Sequence, residues 1–379
     1  GKMEENKGHQ VDWIRIIEGG IYEYILRATI TDIKPSIFHL IKEETEYHDM
    51  IDWAFKEWEL SDLQGSFIKE RDFRNYHKQE KEEKNLNRDI LKAAHNLATH
   101  WEYDHLLEKF NQDNEDLAKR HEEQKHALES KGLHYTGNDL EKVVDFCGQL
   151  RYQVRWAHLH RVPRTSVLGH LLFVAIITYI MSLELGEKTG KRYCETRLYN
   201  NFFTGLFHDL PEALTRDIIS PVKEIGIEDI LKKIEEAEME KKILTHFPND
   251  RWKDEIRLFT GILKDTEGKP LSELGEFGNV YFAEGKYISL PYDDMANFNE
   301  ESNRRRDGRI VRAADRLAAF IEAFVAIENG CSSGVFHEAL YRIKSEFNIK
   351  KPQKKKERTP TPSGDDPDFN LMHGIYSEF

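Results

Sequence analysis

From Val11 to about Asp139, apolar residues recur every three or four positions among dense Lys and Glu, the spacing of amphipathic helices. Ile51, Phe55 and Trp58 fall on one stripe; Ile90, Ala94, Leu97 and Trp101 fall on another. Lys34-Pro35-Ser36 predicts a turn and a helix start, and Lys131-Gly132 predicts a helix end. Phe67–Lys84 and Leu106–Leu128 are so charged that each predicts a solvated helix or a mobile loop. At about Leu140 the pattern shifts. More apolar helices are expected at Val143–His158, Ser166–Glu184, Leu198–His208, Ile227–His246, Trp252–Leu263 and Gly308–Glu328. Within Gly275–Pro291, Val280-Tyr281-Phe282 and Tyr287-Ile288-Ser289-Leu290 predict a small β-hairpin. From Lys350 the composition is that of a linker, with a Lys-rich start that reads as solvated. The expectation is an all-α chain with a hairpin insert. It comprises a charged helical region at 1–139, a second domain at 140–348 and a tail at 349–379.

Composition narrows the possibilities. With 21 Phe, 15 Tyr and 6 Trp in 379 residues there is ample material for a core. A formal net charge of −13 argues against a nucleic-acid polymer as the partner. Three cysteines, Cys147, Cys194 and Cys331, have no CxxC spacing and suit a reducing compartment. Gly1-Lys2-Met3 reads as a tag remnant, and no targeting segment is visible. The longest apolar run, Val167–Leu183, contains Gly169 and His170 and falls short of the ~20 residues that span a bilayer. It predicts a helix buried on nearly every side, and the protein is expected to be soluble and cytoplasmic.

The chain carries 17 His, and imidazole is a common metal ligand and acid–base group. Three ionisable sites lie in apolar surroundings: His170, His208-Asp209, and Asp315 within Ile310–Ala318. Each must find a partner, because an unpaired buried charge costs several kcal/mol. Two imidazoles and two carboxylates suit a divalent transition metal with open positions for water. Taken singly, a buried His is more often a hydrogen-bonded core residue, and an Asp beside an Arg a salt bridge.

The order His…His-Asp…Asp on successive apolar helices resembles the HD-domain metal-dependent phosphohydrolases. His48-Asp49 lies in a charged helix and is a decoy. The longer stretch His208-Asp209-Leu-Pro-Glu212-Ala-Leu-Thr215-Arg-Asp217-Ile-Ile-Ser-Pro221-Val222-Lys223 resembles the 5′-deoxynucleotidase branch of that superfamily. Arg155-Trp156, upstream of His170, and Ala313-Ala314-Asp315-Arg316-Leu317 fit it too. The likeness spans roughly Leu150–Glu328 and implies an HD-domain helical bundle.

The resemblance implies that His170, His208, Asp209 and Asp315 hold one divalent ion: Co, Mn, Fe, Ni or Zn. It implies that Glu212 acts beside Asp209 as acid or base, that Arg155 forks onto phosphate, that Trp156 packs near sugar or base, and that Asp217 accepts from the sugar 3′-hydroxyl. Otherwise Arg155 is a surface salt bridge and Trp156 a core anchor. Gly169 departs from the polar or acidic residue usual before the first histidine. Arg216 and the insert ending Arg304-Arg305-Arg306 are expected either to recognise a longer phosphate chain or to be solvent-exposed. Between Asp209 and Asp315 only His246 offers another imidazole, which favours a mononuclear site. His95, His100, His105, His121 and His126 read as surface residues.

Three functions compete. The leading one is hydrolysis of (deoxy)nucleoside 5′-monophosphates to nucleoside and phosphate. The second is hydrolysis of a nucleoside triphosphate or another phosphometabolite. The third is a nucleotide-sensing or scaffold role without catalysis. A small-molecule nucleotide is the expected partner, with no membrane, and a homodimer is a family-level expectation.

Overall fold

A computed structural model describes residues 1–31, 33, 35–42, 44, 46–57, 68–78, 85–102, 105, 119, 122–123, 126, 129–130, 140–216, 226–263, 275–290 and 297–347. Trp58, His121, Asp217, Pro221-Val222-Lys223, most of Leu106–Leu128 and the expected tail lie outside the described residues. The chain divides into two units, Gly1–Asn138 and Asp139–Phe379.

In the first unit the helices are α1 (Lys2–Asn6), α2 (Trp13–Ile30), α3 (Pro35–Ile41), α4 (Tyr47–Glu57), α5 (Glu70–Lys78) and α6 (Leu86–Glu102). Asp12 starts α2, its carboxylate accepting the Arg15 N–H at 3.0 Å. Ile14, Ile17, Ile21 and Ile25 follow at helical spacing, all buried, and α2 packs on α4 and α6. Ile51 and Phe55 are buried as their stripe requires. On α6 the buried partner of Ile90 is Ala93, while Ala94 is exposed, so the inner face is turned by one residue. Glu70–Lys78 is a helix with a dry side, where Phe73 and His77 are buried.

The second unit holds α7 (Leu140–Gln149), α8 (Val167–Lys188), α9 (Glu195–Phe207), α10 (Glu212–Thr215), α11 (Glu228–Glu238), α12 (Asp250–Thr260), α13 (Gly308–Glu328) and α14 (Gly334–Phe347). A π turn at Met239–Ile243 and a 3-10 turn at Leu244–His246 continue from α11. Helix α8 packs on α9 and α13, α9 also packs on α12, and α13 on α14. Ser166 caps α8 by accepting the Gly169 N–H at 3.0 Å. Running on to Lys188, α8 reaches 22 residues, long and apolar enough by length and composition to cross a membrane. Here it is a core helix, with Val167, Leu171, Val174, Ala175 and Leu185 almost without exposure.

Two expectations need correction. The helix expected over Val143–His158 stops at Gln149. Beyond it the backbone pairs with the chain before α8: Arg155 N–H donates to Thr165 O at 3.0 Å and Val167 N–H to Gln153 O at 2.8 Å. Those cross-chain bonds replace the helical ladder, and Trp156 takes φ 59°, which no α-helix admits.

The insert is also more than a hairpin. Strand β1 (Asn279–Ala283) pairs with β2 (Lys286–Ser289) and, on its other edge, with β3 (Arg306–Asp307), all antiparallel. Arg305 and Arg306 are fully buried rather than free for a phosphate chain or solvent. Arg305 binds Asp307 and the Asn297 carbonyl, while Arg306 donates to the carbonyls of Gly275, Gly278 and Leu258. Backbone carbonyls left over where the insert folds back need donors, and a guanidinium has five.

Candidate metal centre

Close packing of α8 on α9 brings two histidines together. Gly205 makes the approach possible: a Cβ there would sit 2.8 Å from Ala175 Cα. His170 shares one face of α8 with Val174 and Thr178, all fully buried. His208 is the C-terminal cap of α9, ahead of a turn that runs into Pro211. The helix end leaves the Gly205 carbonyl without an intrahelical donor, and His208 Nδ1 donates to it at 2.9 Å. That bond puts hydrogen on Nδ1, and Nε2 is buried with no hydrogen-bond partner among the described residues. The two rings lie 6.1 Å apart.

The third side comes from α13. Asp315 and Glu322 are seven residues apart, two helical turns, on a face kept low by Ala318 and Ala319. They bracket His170: Nε2 lies 3.0 Å from Asp315 Oδ1, and Nδ1 lies 3.1 Å from Glu322 Oε1. His170, His208 and Asp315 each offer one ligand atom, all within 4.8 Å of one another. Asp209 stands at the rim, its Oδ2 3.4 Å from His208 Nε2. A buried Nε2 not engaged by any described residue, a second imidazole and a carboxylate form the donor set of a divalent transition metal, and the residues fit such an ion.

Electrostatics agree with the geometry. Burial would push the His170 pKa down, as would Arg155, yet the bonds to Asp315 and Glu322 leave it raised. Burial would raise Asp315, but His170, His208 and Arg155 hold it well below the usual carboxylate range. Glu322, against the same opposing burial, is held at about 2 by Arg155, His170 and the Trp156 indole. Both acids are ionised at neutral pH.

The remaining expected residues are placed as follows. Arg155 donates from Nε to Glu322 Oε2 at 3.2 Å, with Nη1 3.9 Å from Asp209 Oδ2. Trp156 donates its indole N–H to Glu322 Oε2 at 2.9 Å and lays its ring 5.4 Å from Phe336. Glu212 is buried at the start of α10, its N–H on the Asp209 carbonyl at 3.0 Å, and Gln153 Nε2 donates to the Glu212 backbone carbonyl at 3.0 Å. Gly169 is exposed beside His170. His48 and Asp49 are exposed on α4. Glu322 escaped the sequence reading. Its signal was a lone carboxylate on the apolar face of α13, two turns beyond Asp315.

The sequence model of the HD domain family matches residues 147–355, more than half of the chain, and the protein belongs to that family. Among solved structures, an HD-domain phosphohydrolase from Listeria innocua is similar at 18% identity. The match covers 55% of this chain and 80% of that one, with a TM-score of 0.37. A comparison with curated proteins finds no match.

Proposed function

We propose that this protein is a metal-dependent phosphohydrolase whose substrates are (deoxy)nucleoside 5′-monophosphates, cleaved to nucleoside and phosphate. The observation that carries the reading is the convergence of His170, His208 and Asp315 within 4.8 Å in an HD-family chain. In this reading Asp209, at the rim beside His208, completes the ligand set. A divalent ion there would lower the pKa of its water and polarise the phosphoryl group.

The chain's own residues supply the rest. Arg155, beside Asp209, brings positive charge to where a phosphate would meet the centre. Glu212, buried one turn beyond Asp209, is assigned the proton transfer, either taking a proton from water or giving one to the departing sugar oxygen. Trp156 and Asp217 are assigned to the nucleoside end.

A phosphate-release assay on metal-supplemented protein tests this, run in parallel on nucleoside monophosphates, deoxynucleoside monophosphates and nucleoside triphosphates. Release from monophosphates that EDTA abolishes is the expected result. Turnover confined to triphosphates would transfer the chain to the second function considered above. Saturable binding without turnover would make it a sensor.

A further inference from the structure

We propose that Glu322 is a positioning residue of the metal centre: it fixes the tautomer and ring orientation of His170 and is itself locked by Arg155 and Trp156. This inference rests on the metal reading above and adds a residue that the ligand signature does not contain.

The geometry is specific. Three N–H groups converge on one buried carboxylate: His170 Nδ1 on Oε1 at 3.1 Å, and Arg155 Nε and Trp156 Nε1 on Oε2 at 3.2 and 2.9 Å. A fourth donor, Arg161 Nε, takes the Glu322 backbone carbonyl at 3.2 Å, so the residue is held at both ends. Proton placement follows. Arg155 and Trp156 can only donate and both take Oε2, which leaves Oε1 to accept the Nδ1 hydrogen of His170, and Nε2 is the atom presented toward Asp315 and His208. Carboxylates that accept the second N–H of a ligating imidazole hold the ring in register and raise its basicity. His208 reaches the same state by a cheaper route, donating Nδ1 to the Gly205 carbonyl at its own helix end. His170 lies in the first turn of α8, where the carbonyls already accept helical N–H groups, so it has no such carbonyl to use and the acceptor must come from α13.

The same geometry gives Arg155 and Trp156 a shared task. Their side chains meet on one oxygen, which accounts for their adjacency in sequence despite the turn that separates them from any helix. Trp156 is thereby anchored between Glu322 and the Phe336 cluster of α13 and α14.

A Glu322→Gln substitution tests the inference, because an amide has one acceptor oxygen where three donors need two. Facing that oxygen to His170 sets the amide N–H₂ against the Arg155 and Trp156 donors, and the opposite rotamer does the reverse. The measurement is a Co²⁺ titration of the metal-free full chain, followed by visible absorbance and calorimetry, beside thermal melting of the same metal-free protein. The expected result is Co²⁺ affinity weakened by about 10–100-fold with a changed visible spectrum in a protein that still melts cooperatively. Glu322→Asp keeps the charge on a shorter arm and should restore part of the affinity. Wild-type Co²⁺ affinity in folded Glu322→Gln overturns the inference, even if its melting temperature drops, since that pattern is purely structural. If the Gln variant does not fold, the Asp variant decides: affinity equal to wild type overturns the inference, and weakened affinity supports it. Should the wild-type chain bind no Co²⁺, the metal reading falls and this inference with it. Equal binding by wild type and variant removes the inference alone.

Discussion

Two buried charge clusters sit on neighbouring stretches of the second unit and use their charges differently. Around Asp307 every lone pair is spoken for. Oδ1 accepts from Arg197 Nη2 and Arg305 Nε at 3.1 and 2.8 Å; Oδ2 accepts from Arg197 Nε and Asn201 Nδ2 at 2.6 and 3.0 Å. The Asn201 carbonyl oxygen returns the favour to the Asp307 N–H at 2.8 Å. Eight to fifteen residues further on, Asp315 and Glu322 serve a cluster whose imidazoles converge, with His208 Nε2 buried and not hydrogen-bonded to any described residue. Native interiors rarely leave such atoms unsatisfied. The saturated cluster ties the insert to α9, and the unsaturated one has a coordination position to offer. Satisfaction of donors and acceptors, rather than burial or charge, separates a strut from a site.

Substituting each cluster in turn should separate the two roles. Asp315→Ala should reduce the cobalt content of purified protein to background and phosphate release with it. Full metal content in that variant would end the distinction. Next in size is Glu212→Gln, which leaves the His170–His208–Asp315 group intact. Metal content should stay at the wild-type level while kcat falls by about 10²–10⁴-fold. Loss of metal along with activity would make Glu212 a ligand or a support.

The strut fails in another currency. Asp307→Asn strands Arg197 and Arg305 in the interior and should cost about 3–5 kcal/mol in denaturant unfolding. The Co²⁺ affinity of the molecules that remain folded should match wild type. Acid sharpens the contrast. Burial opposes ionisation of Asp307, but Arg197 and Arg305 hold its pKa well below the ordinary 3.8. A depressed folded pKa means that this contribution is complete above about pH 4 and fades as pH falls toward the folded value. The stability gap between wild type and Asp307→Asn should therefore be constant from pH 5 to pH 7 and close below about pH 3.8. A gap that widened on acidification would mean that Asp307 is protonated in the native state. The smallest effect belongs to the exposed dipeptide on α4. His48→Ala should change stability by no more than about 0.5 kcal/mol and leave metal binding untouched.

Much of this was legible in the chain itself. Apolar periodicity gave α8, α9 and α13 within a few residues of their ends, because each buries a wide stripe whose spacing the helix dictates. His170, His208 and Asp315 stood out as ionisable residues in apolar surroundings, and burial of such groups demands partners wherever the fold places them. Two identical His-Asp dipeptides could be told apart by their neighbours alone, one in a charged stretch and one ending an apolar helix.

Tertiary structure decided what local pattern could not carry. Val143–His158 reads as one helix, yet Arg155 N–H and Gln153 O find partners at Thr165 and Val167, and pairing at that distance leaves no periodic trace. Arg305 and Arg306 look like solvent-facing charge until the insert folds back, for only then do Asp307 and the carbonyls of Gly275, Gly278 and Leu258 surround them. Glu322 is the sharpest case. A carboxylate on an apolar helix face announces that something must meet it, but which groups do so depends on the packing of α8 and the path of the chain at Arg155-Trp156. The sequence determined which residues had to be buried and which of those needed partners; the choice of partner fell to tertiary packing, because hydrogen bonds form between atoms close in space and these lie more than a hundred residues apart in the chain.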